Sequence, residues 1–297
     1  MSGELLSWES VKFKVYEREV EPPVDLHFLW DMHLGPDDRV LKIALREIRD
    51  NPHAYFVLGG DNLEAIGGED WRLQAGDYDA LPPDFPAQDI PRAITEQALA
   101  LARHVKPVAD KCLLILSGNH ERKLKKRSSV DVNYLISEIL KSWGKEVPTT
   151  SEEVAILVLK LRLPYKVAKH REYVLALAHG WGGGLYPGAK MNRALWWAGM
   201  FDGIDAVVVG HTHDLMSGVF PKYEIVKRGG KKVVVMRPLH VIKPGGGRVE
   251  PTYAVRSGYR PTQPGWVIHR VWFGRAKNSS RVLMAETILK PTGEQLL

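Results

Sequence analysis

Five places in this chain carry side chains that can hold a metal ion. They read Asp31-Met32-His33, Gly60-Asp61, Gly118-Asn119-His120-Glu121, His179-Gly180 and Gly210-His211-Thr212-His213. In extended backbone, residues two apart share a face, so Asp31 with His33, and His211 with His213, each send two ligands to one side. Carboxylate and neutral imidazole suit zinc, manganese, iron and nickel. Two such cations held about 3.5–4 Å apart clamp a phosphate and activate a water for attack on it. A centre of that kind needs a bridging carboxylate and several further ligands, and this set contains both. The neighbouring glycines let the backbone turn sharply close to the site.

Each piece taken singly has a plain structural reading. Asp-x-His recurs by chance, and a lone His179 reads as a satisfied core or loop histidine. The order of the pieces decides the matter, because each follows a short apolar run. These runs are DLHFLW, AYFVLGG, CLLILSG, YVLALA and AVVVG, and their length and closing polar residues predict buried strands. Between them, residues 39–50, 90–106 and 130–143 have apolar positions at helical spacing. Strands alternating with helices predict an α/β layer structure, whose sites lie beyond strand ends. After His213 the pattern changes. KKVVVMRPLHVI, TYAVRSGY, GWVIHRVWF and VLMAETIL read as successive strands, a strand-rich part from about 215 expected to form a second sheet on the first within a single domain, 1–297. Residues 62–89 are acidic, aromatic and rich in Gly and Pro, too long for an ordinary connection, and read either as a loop or lid beside the site or as an irregular surface insertion.

Composition sets the outer bounds. The chain has 297 residues, 44% hydrophobic and 26% charged, ordinary for a globular protein. Its one cysteine, Cys112, lies in an apolar run and excludes both an internal disulfide and a cysteine-based zinc site. The N-terminal stretch lacks an apolar core of signal-peptide length, and no run reaches the roughly 20 apolar residues of a membrane span. A soluble, cytoplasmic protein without a membrane partner is the expectation. The net charge of +6 is compatible with an anionic, phosphorylated substrate and leaves nucleic acid open as a partner.

Taken in order, the five motifs resemble the calcineurin-like metallophosphoesterase superfamily, whose pattern runs Asp-x-His, Gly-Asp, Gly-Asn-His-Asp/Glu, His, Gly-His-x-His. The resemblance spans residues 24–214. It implies a two-sheet β-sandwich flanked by helices, a four-layer αββα arrangement. It also implies two divalent metal ions, with manganese the first choice and iron, zinc or nickel as alternatives. By motif position, Asp31, His33 and His213 would hold one metal, Asn119, His179 and His211 the other, and Asp61 would bridge both. His120 would protonate the leaving oxygen or stabilise charge on the phosphate. The second motif lacks the Asp-Arg of the protein serine/threonine phosphatase branch. The third has His120 where the lipid A precursor pyrophosphatase branch has Arg. Neither branch is favoured. The expected activity is a phosphodiesterase acting on nucleic acid or nucleotide-type substrates. A small-molecule phosphomonoesterase or pyrophosphatase is the alternative, and a non-catalytic binding scaffold the remote one.

Several nearby residues carry open readings. Trp30 is read as core packing ahead of a role in narrowing the site. Lys123, Lys125, Lys126 and Arg127 form either a phosphate-backbone contact or a solvated face. Trp181-Gly182-Gly183-Gly184 is read as a flexible loop near the metals, and Trp196 and Trp197 as helical core or interface. Glu64, Glu121 and Asp214 are candidates to orient the histidines.

Overall fold

All five apolar runs are strands in the computed structural model, which describes residues 13–34, 38–64, 90–163, 170–182, 186–247, 262–275 and 281–292. In chain order the strands are β1 (Lys14–Val20), β2 (Val24–Leu29), β3 (Ala54–Gly59), β4 (Cys112–Leu116), β5 (Val154–Arg162), β6 (His170–Ala178), β7 (Ala206–Val209), β8 (Leu215–Arg228), β9 (Lys231–Pro244), β10 (Gly265–Arg275) and β11 (Arg281–Pro291). The helices are α1 (Arg39–Asp50), α2 (Ile90–Val105), α3 (Asn119–Ser128), α4 (Val132–Ser142) and α5 (Pro187–Ala198). No helix among the described residues is long and apolar enough to cross a membrane.

The strands form two mixed sheets, ordered β1-β5-β6-β7-β9-β8 and β11-β10-β2-β3-β4. Within the second, β2, β3 and β4 are mutually parallel, and in the first β6, β7 and β9 are. Parallel central strands are covered on both faces, which is why VDLHFL, CLLIL and AVVV are buried throughout.

Alternation along these strands sorts side chains into layers. Leu26, Phe28, Val57, Leu114 and Leu116 from one sheet meet Leu157, Leu175, Leu177 and Val208 from the other, making the inter-sheet core. The intervening Leu29, Phe56, Leu58 and Ile115 face outward and are covered by α1, α2 and α4. On the opposite side, Ala176, Val207 and Val209 are covered by Ala194, Trp197 and Ala198 of α5. Each fully buried large aliphatic or aromatic side chain contributes about 1.5–3 kcal/mol. The result is helices, sheet, sheet, helix: the expected two-sheet sandwich with helices on both outer faces.

One expectation needs correction. The strands after His213 do not make a sheet of their own. β8 and β9 extend the first sheet beside β7, whereas β10 and β11 join the second through β2. An apolar run records that a strand is buried and not which neighbour it pairs with, so the run alone does not disclose the split. The five ligand-bearing strands are correspondingly divided between the sheets. Helix α3, which begins at Asn119 inside the third motif, adds to the helices expected from the sequence. Glu121 accepts the Gly118 N–H at 2.8 Å, and this capping contact starts the helix there. Strands β1, β5 and β8 add to those expected from the sequence. The TYAVRSGY run and residues 65–89 lie outside the described residues. Cys112 is buried, as its apolar setting implies.

Candidate metal centre

Every predicted ligand follows the carboxyl end of a strand. Asp31 and His33 leave β2, Asp61 leaves β3, Asn119 and His120 open α3 after β4, His179 leaves β6, and His211 and His213 leave β7. Packing the two sheets face to face brings these ends together. Cross-sheet bonds fix their alignment: Trp30 Nε1 donates to the Ala178 carbonyl at 2.9 Å, and the His211 N–H donates to Asp31 Oδ2 at 2.8 Å. Trp30 is fully buried, so its reading as core is the one the structure gives. Its indole lies where side chains at Gly59 and Gly210 would be. A Cβ added at those positions would stand 1.7 and 2.0 Å from ring atoms. Gly118 is similarly constrained, since a Cβ there would lie 2.2 Å from the Asp61 carboxylate and backbone N.

Asp31, His33, Asp61, His211 and His213 all have positive φ, from 45° to 67°. Left-handed backbone is uncommon outside glycine and gathers at sites where the surroundings impose it. Among the described non-glycine residues Ser129 is the other example. The turns are held by main-chain bonds. Asp31 N donates to Gly60 O at 3.1 Å, and His33 N to Asp61 O at 2.9 Å.

The side chains form three overlapping groups, one of them His33 with Glu64 and His120. Asp31, His33 and His213 lie together, and so do Asp31, Asp61, His179 and His211. His33 Nε2 faces His213 Nε2 at 3.3 Å, and His211 Nδ1 faces His179 Nε2 at 3.3 Å. The Asn119 side-chain oxygen is 3.0 Å from His179 Nε2. Asp31 Oδ1 is buried without a hydrogen bond, 3.6 Å from His213 Nε2 and 3.9 Å from His179 Nε2. Imidazole nitrogens paired at this range match two ligands on one cation, which at about 2.1 Å metal–nitrogen distances stand roughly 3–3.5 Å apart. The donor set therefore fits divalent metal. Asp31 is the carboxylate common to the other two groups, whereas the resemblance gives the bridging part to Asp61.

Groups behind the ligands orient them. His179 Nδ1 donates to the Gly59 carbonyl at 3.2 Å, which leaves Nε2 facing the centre. His33 Nδ1 is 3.1 Å from Glu64 Oε2, directing Nε2 inward. Glu121 acts differently from expectation. Its carboxylate accepts backbone N–H groups from Asp61, Asn62, Leu63 and Gly118 at 2.8–3.2 Å and touches no histidine through them. Asp214 pairs with Lys190 at 2.7 Å. His120 donates its backbone N–H to Asp61 Oδ1 at 2.8 Å. Its Nδ1 donates to the Glu64 carbonyl at 2.7 Å, so Nε2, 3.8 Å from Asp61 Oδ2, is the ring atom turned toward the centre.

The electrostatics follow from carboxylates and imidazoles buried together. Burial disfavours charge on His179, yet the Asp61 and Asp31 carboxylates raise its pKa to about 10. A cation in that place supplies the charge and leaves the imidazole neutral for ligation. Burial, then repulsion from His179, lowers His211 to about 4. Burial and His33 hold His213 well below its ordinary value. Both are thereby kept in the ligating form. Burial above all lifts Asp31 to about 6, with Asp61 adding repulsion against the pull of His179.

Strand ends from two packed sheets, carrying this ligand order, are what the motif resemblance implies. The chain has two packed sheets flanked by helices, the arrangement that the resemblance to metallophosphoesterases implies. Among solved structures it is similar to Vps29 of Chaetomium thermophilum, at 10% identity over 91% of this chain and 97% of that one, with a TM-score of 0.31. It is also similar to a conserved uncharacterised protein, a predicted phosphoesterase, of Streptococcus pneumoniae, at 11% identity over 90% and 98% of the chains, with a TM-score of 0.32. The sequence matches no family model and no curated protein.

Other marked residues separate. Trp197 is buried on the inner face of α5, and Trp196 is exposed on the same helix. Lys125 pairs with Asp131 at 2.8 Å, while Lys123, Lys126 and Arg127 are exposed on α3. Gly183 and Gly184 lie outside the described residues. Sequence reasoning missed Lys243, a buried lysine beside the His211 turn. The signal for it was a cation ending the otherwise apolar run LHVIK.

Proposed function

We propose that this chain is a dinuclear-metal phosphoesterase that hydrolyses phosphodiesters of the nucleic acid or nucleotide type. The observation that carries the reading is the convergence of Asp31, His33, Asp61, His179, His211 and His213 on one spot, with opposed imidazole nitrogens and an unpartnered buried carboxylate oxygen. Asn119 completes the ligand set through its side-chain oxygen. These residues would hold two divalent cations, which when bound would supply Lewis-acid charge to the phosphate and lower the pKa of water. Manganese is the first candidate, with iron, zinc and nickel suited to the same donors.

The remaining roles fall to the chain itself. His120 sits at the first turn of α3, with Nδ1–H committed to the Glu64 carbonyl. Burial lowers its pKa, so it would act as an acid only after taking up a second proton on Nε2, which as imidazolium would pass that proton to the leaving oxygen. The N-terminus of α3 adds a favourable field for phosphate. A diester needs contacts for the group beyond the scissile bond. Lys123, Lys126 and Arg127, exposed on the same helix within about two turns of His120, suit an extended anionic chain.

The test compares bis(4-nitrophenyl) phosphate with 4-nitrophenyl phosphate on manganese-loaded protein, with Asn119→Ala as control. Faster diester turnover, lost in the control, is the expected result. Faster monoester turnover replaces the diester reading with a phosphomonoesterase. Absence of turnover on either, with no metal retained after loading, leaves a binding scaffold.

A further inference from the structure

Strands β8 and β9 pair along their whole length, from Leu215 with Pro244 to Arg228 with Lys231. Gly229 and Gly230, with φ of 55° and 78°, close them in a tight two-residue turn that matches the twist of the strands. β7 flanks β9 only from His240 to Ile242, so the outer half of this hairpin runs on past its neighbour in the sheet. Residues two apart in a strand share a face. His240 lies on the face turned to the other sheet, where its ring meets His269 of β10 edge-on at 4.8 Å. Farther out, the same face carries Val219, Pro221, Tyr223 and Ile225 on β8, opposite His240, Pro238, Met236 and Val234 on β9. It is the inter-sheet face continued past the cover of the second sheet. Val219, Tyr223, Ile225, Val234 and Met236 are 60–76% exposed, and both prolines are exposed beside them. Lys227 and Lys232, the next pair outward on this face, are exposed and bound the patch at the tip.

A contiguous apolar patch of this kind on a folded chain marks a contact site. Its composition is that of an interface core, with tyrosine, methionine and branched aliphatics in the middle and lysine confined to the rim. Its size fits as well. At about 60–120 Å² for an aliphatic side chain and about 150–250 Å² for tyrosine, the exposed fractions amount to roughly 300–500 Å² of apolar surface before the prolines are added. An ordinary stable interface buries about 800 Å² on each partner, of which a little over half, roughly 450 Å², is non-polar. One such face against an identical one therefore reaches the area a dimer needs, and a two-fold axis is the commonest way for a chain to meet itself. We propose that this face is the contact of a two-fold dimer, apolar hairpin against apolar hairpin. Antiparallel packing sends the two tips to opposite ends, whereas tips together would oppose the Lys227 and Lys232 charges of both copies. Pairing strand to strand along the edge is disfavoured. Pro221 opposes Pro238, and a proline pair fits an antiparallel ladder only where N–H groups would point away from the partner strand, so the open edge of β8 lacks a donor in mid-strand. The patch begins six residues after His213, and at about 3.3 Å per residue it lies about 20–40 Å from the candidate metal centre, so pairing leaves both centres open.

The test is sedimentation-velocity centrifugation of the full chain from about 1 to 100 µM. The expected result is a reversible dimer, with twice the chain mass reached toward the upper end of that range. Ile225→Lys and Val234→Lys each put an unpaired cation at the middle of the contact and should weaken the dimer by about tenfold or more. Both positions are exposed in the single chain, so circular dichroism and metal titration of the variants should match the unmodified protein. Tyr223→Ser is the milder change that carries the test if a lysine variant fails to fold. Trp196→Ala trims a separate exposed side chain on α5 and should leave the dimer unchanged. A chain that stays monomeric throughout the range, or a dimer undiminished in both Ile225→Lys and Tyr223→Ser, would overturn the proposal. So would a monomer that pellets with phosphatidylserine vesicles and loses that binding in Ile225→Lys or Tyr223→Ser, since the face would then belong to a lipid surface.

Discussion

Glu121 gives the most stringent check on how this centre is built. Its two carboxylate oxygens accept four backbone N–H groups: Asn62 and Leu63 on Oε1 at 2.8 and 3.2 Å, Asp61 and Gly118 on Oε2 at 3.0 and 2.8 Å. It thereby clamps the turn after β3 to the start of α3, the two segments that carry Asp61 and Asn119. Glu121→Gln keeps the shape and replaces one acceptor oxygen by a donor NH2 group. Two of the four N–H groups then face a donor and lose their partner. A buried orphaned donor costs about 1–3 kcal/mol, so the substitution should cost about 2–6 kcal/mol. That is a large share of the roughly 5–15 kcal/mol that holds a typical domain folded. Glu121→Ala should cost about the same or more, although water can enter the space it leaves. Urea denaturation of chelator-treated protein measures the loss, and metal titration should detect weakened binding through the displaced Asp61. A Glu121→Gln protein with unchanged stability and metal affinity would refute the clamp, since shape alone would then suffice.

The other predictions concern individual groups. Asp61→Ala and His211→Ala should abolish metal-dependent ester hydrolysis, and equal activity in either would discard the ligand set. His120→Ala should keep its metal stoichiometry while losing about 10²–10⁴-fold in rate, and loss of metal would identify it as a ligand instead. His27 is fully buried, and burial, with Lys290 and Lys111 adding repulsion against the pull of Asp25, lowers its pKa to about 4. An unfolded histidine near 6.5 binds the proton first, so the stability that neutral His27 contributes is complete above about pH 6.5 and declines toward pH 4, by about 3 kcal/mol in all. His27→Leu should flatten that part of the stability–pH curve, and an identical slope in the variant would exclude His27 as its source. At His213, where φ is 53°, glycine should give chelator-treated protein about 1 kcal/mol more stability than alanine, and the opposite order in urea denaturation would contradict the left-handed turn.

Much of the candidate centre is legible in the sequence because a metal site would restrict residue type. Carboxylate, imidazole and amide at fixed strand ends leave a pattern that packing alone does not generate, and the ligands from Asp31 to His213 stand out by their types and order. Apolar runs such as CLLIL and AVVV likewise declare themselves as strands covered on both faces. What stays hidden depends on partners distant in sequence. Trp266 and Val267 sit on a strand beside β2, not in a separate C-terminal sheet, and only pairing geometry settles that. Glu121 reads as a support for histidines because it adjoins His120 in sequence. Its bonds go to backbone N–H groups some 60 residues earlier. Lys243 is distant in sequence from every ligand and close to His211 only through the pairing of β7 with β9.

The left-handed turns explain why the centre lies at this end of the sandwich. Asp31, His33, Asp61, His211 and His213 each hold a conformation that costs about 1–3 kcal/mol elsewhere, with Asp and His toward the lower end. Five together approach the net stability of an ordinary domain. Such a total persists only where packed structure on every side fixes the backbone. Both sheets contribute to that. Trp30 fills the space that Gly59 and Gly210 leave open, Glu121 fixes the turn after β3, and the Asp31 carboxylate takes the His211 N–H across the sheet interface. The ligands are consequently held converging by the protein framework itself. Metal bound there would not have to organise loops first, and its free energy would go into stabilising the buried carboxylates that already face one another.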